Sequence, residues 1–206
     1  MSRYRPRGCE DPKDSGFNYK RAADEVWDAF LTAGVFVEGE FTFASGLRAT
    51  LKADAEQLYK HPKQLERVMG LFATYPCVIS SDVLLYVPNG MKEFMLELGR
   101  KLDKPVVSAI RDKKSASRYA FLFNSEEDRD LALNAESPLI GEDIVTTLGS
   151  VAGLRSLLPA EQDVHSLAIL LRGHVEEIYL NGLTDHYLLT REIPTDKAEF
   201  HRQLSS

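Results

Sequence analysis

Between Asp82 and Leu171 the chain alternates short apolar runs with helical patterns, and this alternation restricts the fold more than any other feature. Strands are predicted at Asp82–Val87, Pro105–Ile110, Tyr119–Phe123, Leu139–Val145 and Ser166–Leu171. Helices are predicted at about Met91–Leu102 and Ser150–Leu158. Alternation of this kind joins strands as parallel neighbours through right-handed crossovers. The expected fold class is α/β: a twisted, mainly parallel sheet flanked by helices. Sheets of this kind bind ligands outside the carboxyl ends of their strands.

The flanking segments read as a cap on that core. Ala23, Val26, Trp27, Phe30 and Leu31 recur at helical spacing, which predicts a helix over about Tyr19–Ala33 closed by Gly34. Val35–Phe43 alternates apolar and polar residues and reads as a strand pair turning at Glu38-Gly39. Leu65, Val68, Met69 and Phe72 share a face of a second helix, Pro62–Ala73, with Pro62 in its first turn. Asn181–Ser206 reads as a tail packed on the domain edge. Residues 1–17 read as a flexible extension and residues 18–206 as one domain, with hood elements at about 18–60 and 181–206 and a core at about 61–180.

Composition narrows the partners. The 206 residues hold 25 Lys+Arg against 31 Asp+Glu, a formal charge of −6, which argues against a nucleic-acid coat or an anionic membrane surface. With 44% hydrophobic residues the chain has enough apolar surface for a core. The longest apolar runs, such as Leu167–Leu171, fall far short of the roughly 20 residues of a membrane span. Cys9 and Cys77 make no disulfide framework, no Cys/His spacing suits zinc, and the five histidines show no nucleophile or metal arrangement. A reducing cytoplasm and a small-molecule partner are the expectation, with no nucleic acid and no membrane.

The residues just after each predicted strand locate a site. They are Pro88-Asn89-Gly90, Arg111-Asp112-Lys113-Lys114, Gly141-Glu142-Asp143 and Arg172-Gly173, and all four segments are expected to converge on one rim. In Pro138–Ser150 an apolar strand runs into two adjacent carboxylates, then a loop of hydroxyls and a glycine, then a helix start. Free backbone amides with the Thr146 and Thr147 hydroxyls suit a phosphate. Adjacent carboxylates suit two ribose hydroxyls, or Mg²⁺ shared with substrate oxygens. The same residues also suit a solvated strand end and a capping turn. Charge is strongly segregated nearby: Arg111–Arg118 carries four basic and one acidic residue, whereas Glu126–Asp130 carries four acidic and one basic. Such runs also occur as solvated loops.

Glu142-Asp143-Ile144-Val145-Thr146-Thr147-Leu148-Gly149-Ser150 resembles the 5-phosphoribosyl-1-pyrophosphate (PRPP) motif of type I phosphoribosyltransferases, and the wider chain is similar to orotate phosphoribosyltransferases. Phe41–Arg48, Asp82–Gly90, Val106–Lys114 and Leu170-Leu171-Arg172 resemble further family segments in the family's order. The resemblance implies a Mg²⁺-dependent transfer of 5-phosphoribosyl from PRPP to a pyrimidine base such as orotate, with release of pyrophosphate, by a homodimer. It assigns Glu142 and Asp143 to the ribose and, as candidate side-chain ligands, to a magnesium held mainly through PRPP. Thr146, Thr147, Leu148, Gly149 and Ser150 take the 5′-phosphate. Asn89, Gly90, Lys92 and Arg111 fall to PRPP, Lys113 and Lys114 to the charge on departing pyrophosphate, and Ser45, Thr146 and Arg172 to the base. Two departures bear on activity. Leu148 replaces a family glycine and so places a side chain at the phosphate loop. The basic loop has no Lys-Asp-His-Gly pattern, since no histidine lies between His61 and His165. A PRPP- or nucleotide-binding sensor without turnover, or a transferase for a purine base, are the alternatives.

Overall fold

The computed structural model describes residues 17–42, 48–88, 90–172 and 183–205. The expected extension lies, up to residue 16, outside the described residues, as do Ser45 and Asn89. Helix α1 (Tyr19–Thr32) starts where the Asn18 side chain accepts from the Arg21 amide at 2.9 Å and ends before Gly34, whose φ of +65° suits glycine. Strand β1 (Phe36–Thr42) pairs antiparallel with β2 (Arg48–Ala53). The chain does not turn at Glu38-Gly39. Strand β1 runs through both residues, and only its register shifts, between Glu38 and Phe41. A Cβ on Gly39 would meet the Phe41 ring at 3.0 Å, so this glycine accommodates an irregular strand and not a turn.

A 3-10 helix (Ala55–Lys60) and helices α2 (Pro62–Ala73) and α3 (Pro76–Ser80) lead into β3 (Val83–Tyr86) and α4 (Lys92–Leu102). The run Pro105–Ile110 is two strands. Strand β4 (Val106–Val107) lies beside β3, while β5 (Ala109–Arg111) leaves the sheet to pair antiparallel with β6 (Phe121–Phe123). The break falls at Ser108, whose amide donates to the Asp128 carboxylate at 2.8 Å and whose hydroxyl lies 2.9 Å from Tyr86 Oη. Asp128 belongs to α5 (Glu126–Leu133), capped by Ser125, and this helix houses the acidic run. Strand β7 (Pro138–Val145), helix α6 (Gly149–Arg155) and strand β8 (Val164–Arg172) follow. The expected C-terminal tail instead contributes a full strand, β9 (Leu183–Arg191), before α7 (Lys197–Leu204).

The central sheet has the order β4-β3-β7-β8-β9, all parallel, as the α/β reading expects. Alternation along β3 sends Leu84 and Tyr86 to one face with Phe30, Phe72 and Phe94. Val83 and Leu85 go to the other face with Ala132, Val151 and Leu154. Helices therefore cover both faces, which is why the strands read as continuous apolar runs. The hood joins the two ends of the chain: the Thr50 and Leu51 amides donate to the Thr195 carbonyl at 2.8 and 3.1 Å, and Phe200 of α7 packs on Phe36 and Trp27.

Helix α4 packs close to the β4 edge through Gly99, where a Cβ would collide with Val106 Cγ2 and approach the Lys104 carbonyl at 2.9 Å. Gly99→Ala is expected to lower stability by about 1–3 kcal/mol, the usual cost of overpacking, read as a lower urea midpoint at unchanged m-value.

Candidate functional site

Strand order sets the layout. Strand β3 lies between β4 and β7, so the turn at its carboxyl end, Val87–Met91, stands between the β5–β6 hairpin beyond β4 and the end of β7. On the β4 side is a cleft of about 980 Å³ whose walls include Tyr86, Pro88, Ile110 and Leu122 with four cations, Lys92, Arg111, Lys113 and Lys114, against two acids, Glu93 and Asp112. On the β7 side are Glu142 and Asp143. The two acids do not follow the strand: β7 runs on through them, because Ile144 and Val145 continue the ladder to Leu170 and Leu171. A Cβ on Gly90 would collide with the Asp143 carboxylate, so the turn lies directly on that acid. The cations line the cleft, Glu142, Asp143 and the Thr146–Ser150 loop are absent from its described walls, and the Gly90–Lys92 turn connects the halves.

The acidic half is electrostatically loaded. Burial, and after it the neighbouring Asp143 charge, pushes the Glu142 carboxyl up to about 8. Burial also raises Asp143; the Ile144 amide, donating to its Oδ1 at 2.8 Å, opposes this, while Glu56 and Asp54 add to the rise. Both acids thus sit in surroundings that disfavour their charged forms and that hydroxyls or a cation would relieve.

The loop after β7 presents exposed Thr146 and Thr147 and part-exposed Gly149 and Ser150. Leu148 does not obstruct it. Its side chain is 6% exposed and belongs to the core with Val145 and Val151, which removes the expected side chain from the loop surface. Arg172 ends β8 half-buried, with Nε donating to the Ile193 carbonyl at 3.3 Å and Nη2 to Pro194 at 3.5 Å, and burial lowers its pKa.

Sequence reasoning missed Tyr119. A Cβ on Gly149 would meet its ring at 2.5–2.8 Å, and one on Gly153 would meet the Phe121 ring at 2.8 Å. The paired glycines, four apart on α6, flatten the helix so that the β5–β6 hairpin lies on it, and that spacing was the available signal. The Thr147 side chain, and then Arg118, hydrogen-bond the Tyr119 phenol and hold it below its ordinary range. The basic hairpin is compact at its tip: Arg111 donates to the Arg118 carbonyl and lies 5.6 Å over the Phe121 ring, and the Lys114 amide donates to Asp112 at 2.9 Å. Lys113 and Lys114 remain exposed.

No family profile matches the chain. Among curated proteins it is similar to the orotate phosphoribosyltransferase of Chlorobium phaeobacteroides (strain BS1), at 28% identity over 128 residues, 62% of this chain. The match likewise spans 62% of that relative's length. Among solved structures, the orotate phosphoribosyltransferase of Aeropyrum pernix superposes with a TM-score of 0.64 at 17% identity, covering 86% of this chain and 97% of that one. The UMP synthase of Leishmania donovani gives 0.63 at 16% identity over 89% of this chain and 41% of that one. The adenine phosphoribosyltransferase of Saccharomyces cerevisiae gives 0.57 at 15% identity over 81% and 99%. The fold is that of the type I phosphoribosyltransferases, and the sequence resemblance runs to the orotate phosphoribosyltransferases.

Because Glu142 titrates near 8 when folded against 4.5 ordinarily, its contribution to stability is complete below about pH 4.5 and is lost as pH rises through about 8. Urea midpoints of the wild type are expected to fall from pH 5 to pH 8.5, and those of Glu142→Gln to fall markedly less. Parallel profiles would show that Glu142 is not held protonated.

Proposed function

We propose that this chain transfers a 5-phosphoribosyl group from PRPP to a nucleobase, with orotate as the first candidate, and releases pyrophosphate. The observation that carries the reading is the contact of the Gly90 turn with Asp143, with the cationic cleft on the turn's other side. A sugar carrying a phosphate at one end and a diphosphate at the other needs such a sequence of surfaces: hydroxyls and amides, then carboxylates, then backbone and cations.

In this reading Thr146, Thr147, Gly149 and Ser150 hold the 5′-phosphate through hydroxyls and backbone amides. Glu142 and Asp143 accept hydrogen bonds from the ribose hydroxyls, which favour their ionised forms, and the negative charge so stabilised favours the electron-poor C1′ carbon as it loses its leaving group. The bond from C1′ to the pyrophosphate oxygen breaks with its electron pair on oxygen, while a ring nitrogen of the base bonds to C1′ and gives up its proton. Gly90 and Lys92 bind the diphosphate, and Arg111, Lys113 and Lys114 meet the charge that develops on it. Arg172, with its planar fork at the end of β8, takes two acceptors of the base.

Magnesium belongs to the same proposal. Among the described residues no three His, Cys, Asp or Glu side chains gather as metal ligands. Glu142 and Asp143 would hold such a cation only together with substrate oxygens and water, which is how Mg²⁺ commonly binds beside phosphates. Bound there it neutralises diphosphate charge. A homodimer is also part of the reading. The cross-strand pair Ile110 and Leu122 is 48% and 49% exposed on the hairpin, an apolar surface suited to cover by a second copy.

One observation favours a second reading. The basic hairpin carries lysines and arginines but no histidine, and a protein that binds PRPP without turnover needs no acid there. Pyrophosphate release from PRPP and Mg²⁺ across orotate, uracil, adenine and hypoxanthine, with calorimetric PRPP binding alongside, separates the two. Release with one base is expected, and Lys113→Ala/Lys114→Ala should then lower kcat/KM by at least ~10-fold. Binding without release for any base supports the sensor, and absence of binding overturns both.

A further inference from the structure

Helix α4 starts directly after the Gly90 turn, yet its own N-cap position, Met91, supplies no side-chain hydrogen bond. A residue from the hood grips the turn ahead of this start. Tyr59, in the 3-10 helix Ala55–Lys60, donates from its phenol to the Gly90 carbonyl at 3.2 Å. Tyr59 lines a small cavity together with Ala55, Leu58, Met91, Phe94 and Asp143. Burial, the largest influence on it, pushes the phenol up to about 12, so it keeps its proton and remains a donor.

Tyr59 thus ties the turn ahead of α4 to the hood from a distant point in the sequence. The turn it grips is held from two sides. Asp143 leaves no room for a Cβ at Gly90, and Tyr59 fixes the carbonyl of the same residue. Lys92, two residues on, enters the cationic cleft from the same short stretch.

The geometry points to Tyr59 as a positioning residue for the diphosphate turn: a hydrogen bond supplied by the hood that sets the Gly90 peptide and Lys92 against the site. The role in catalysis rests on the transferase reading, whereas the clamp itself does not. It is a task for a single hydroxyl, so removing that hydroxyl at constant shape isolates it.

The test is Tyr59→Phe in the full chain, with two readouts. Amide hydrogen exchange over Gly90–Met95 is expected to accelerate about 5-fold, as loss of one hydrogen bond at a helix start implies, with exchange in β7 and β8 unchanged. In the turnover assay the KM for PRPP is expected to rise about 5-fold, with kcat and the KM for the base within twofold of wild type. Unchanged exchange overturns the clamp. Faster exchange with an unchanged KM for PRPP leaves a clamp of structural value only and overturns the positioning role. Should the wild type neither bind nor use PRPP, the transferase reading falls and takes the positioning role with it, while exchange still decides whether Tyr59 clamps the Gly90 turn.

Discussion

The position of β3 between β4 and β7 is the constraint on which everything else depends. Parallel pairing on both sides forces the turn after β3 to stand between a cationic hairpin and an acidic strand end. That placement needs both faces of the sheet covered, which the alternation of Leu84 and Tyr86 with Val83 and Leu85 provides. It also needs the neighbouring chain segments held at the right height. Asp82 does this on one side by accepting the Glu136 and Ser137 amides at 2.6 and 3.0 Å, fixing the entry to β7. Ser108 does it on the other through Asp128.

Electrostatic strain concentrates where the packing is least forgiving. Gly90 is in contact with an acid whose protonation burial favours, and Glu142 beside it is pushed up to about 8. A buried acidic pair costs stability in the free protein once it ionises. A ligand that brings hydroxyls or a cation to these carboxylates recovers that cost. The acidic total of the chain and its local cationic surface are compatible: the charge of −6 is a sum, and the hairpin segregates its share of cations from it.

Much of the sheet was legible in the sequence because it is built from local patterns. Apolar runs at Val83–Tyr86, Pro138–Val145 and Val164–Arg172 bury both faces and announce themselves. What stayed hidden depends on contacts between distant residues. The division of Pro105–Ile110 into two strands is set by Asp128, twenty residues from Ser108. Strand β9 carries polar residues among its apolar ones and gains strand character from the register with β8. Of the residues singled out by type, Asp143 lies against the β3 turn, and Lys92 and Arg111 line its cleft. Their division between the two sides of the turn was not legible, because spacing along the chain carries no information on which wall of which cavity a strand end faces. Tyr59 and Tyr119 escaped for the same reason, each acting on a backbone far from it in sequence.

A crystal structure of the protein with PRPP and Mg²⁺ tests most directly whether the β3 turn divides one substrate between two surfaces. The expected density places the 5′-phosphate on Thr146–Ser150, the ribose hydroxyls on Glu142 and Asp143, and the diphosphate on Gly90 and Lys92. PRPP confined to the cleft of Arg111, Lys113 and Lys114, with the end of β7 untouched, would contradict it.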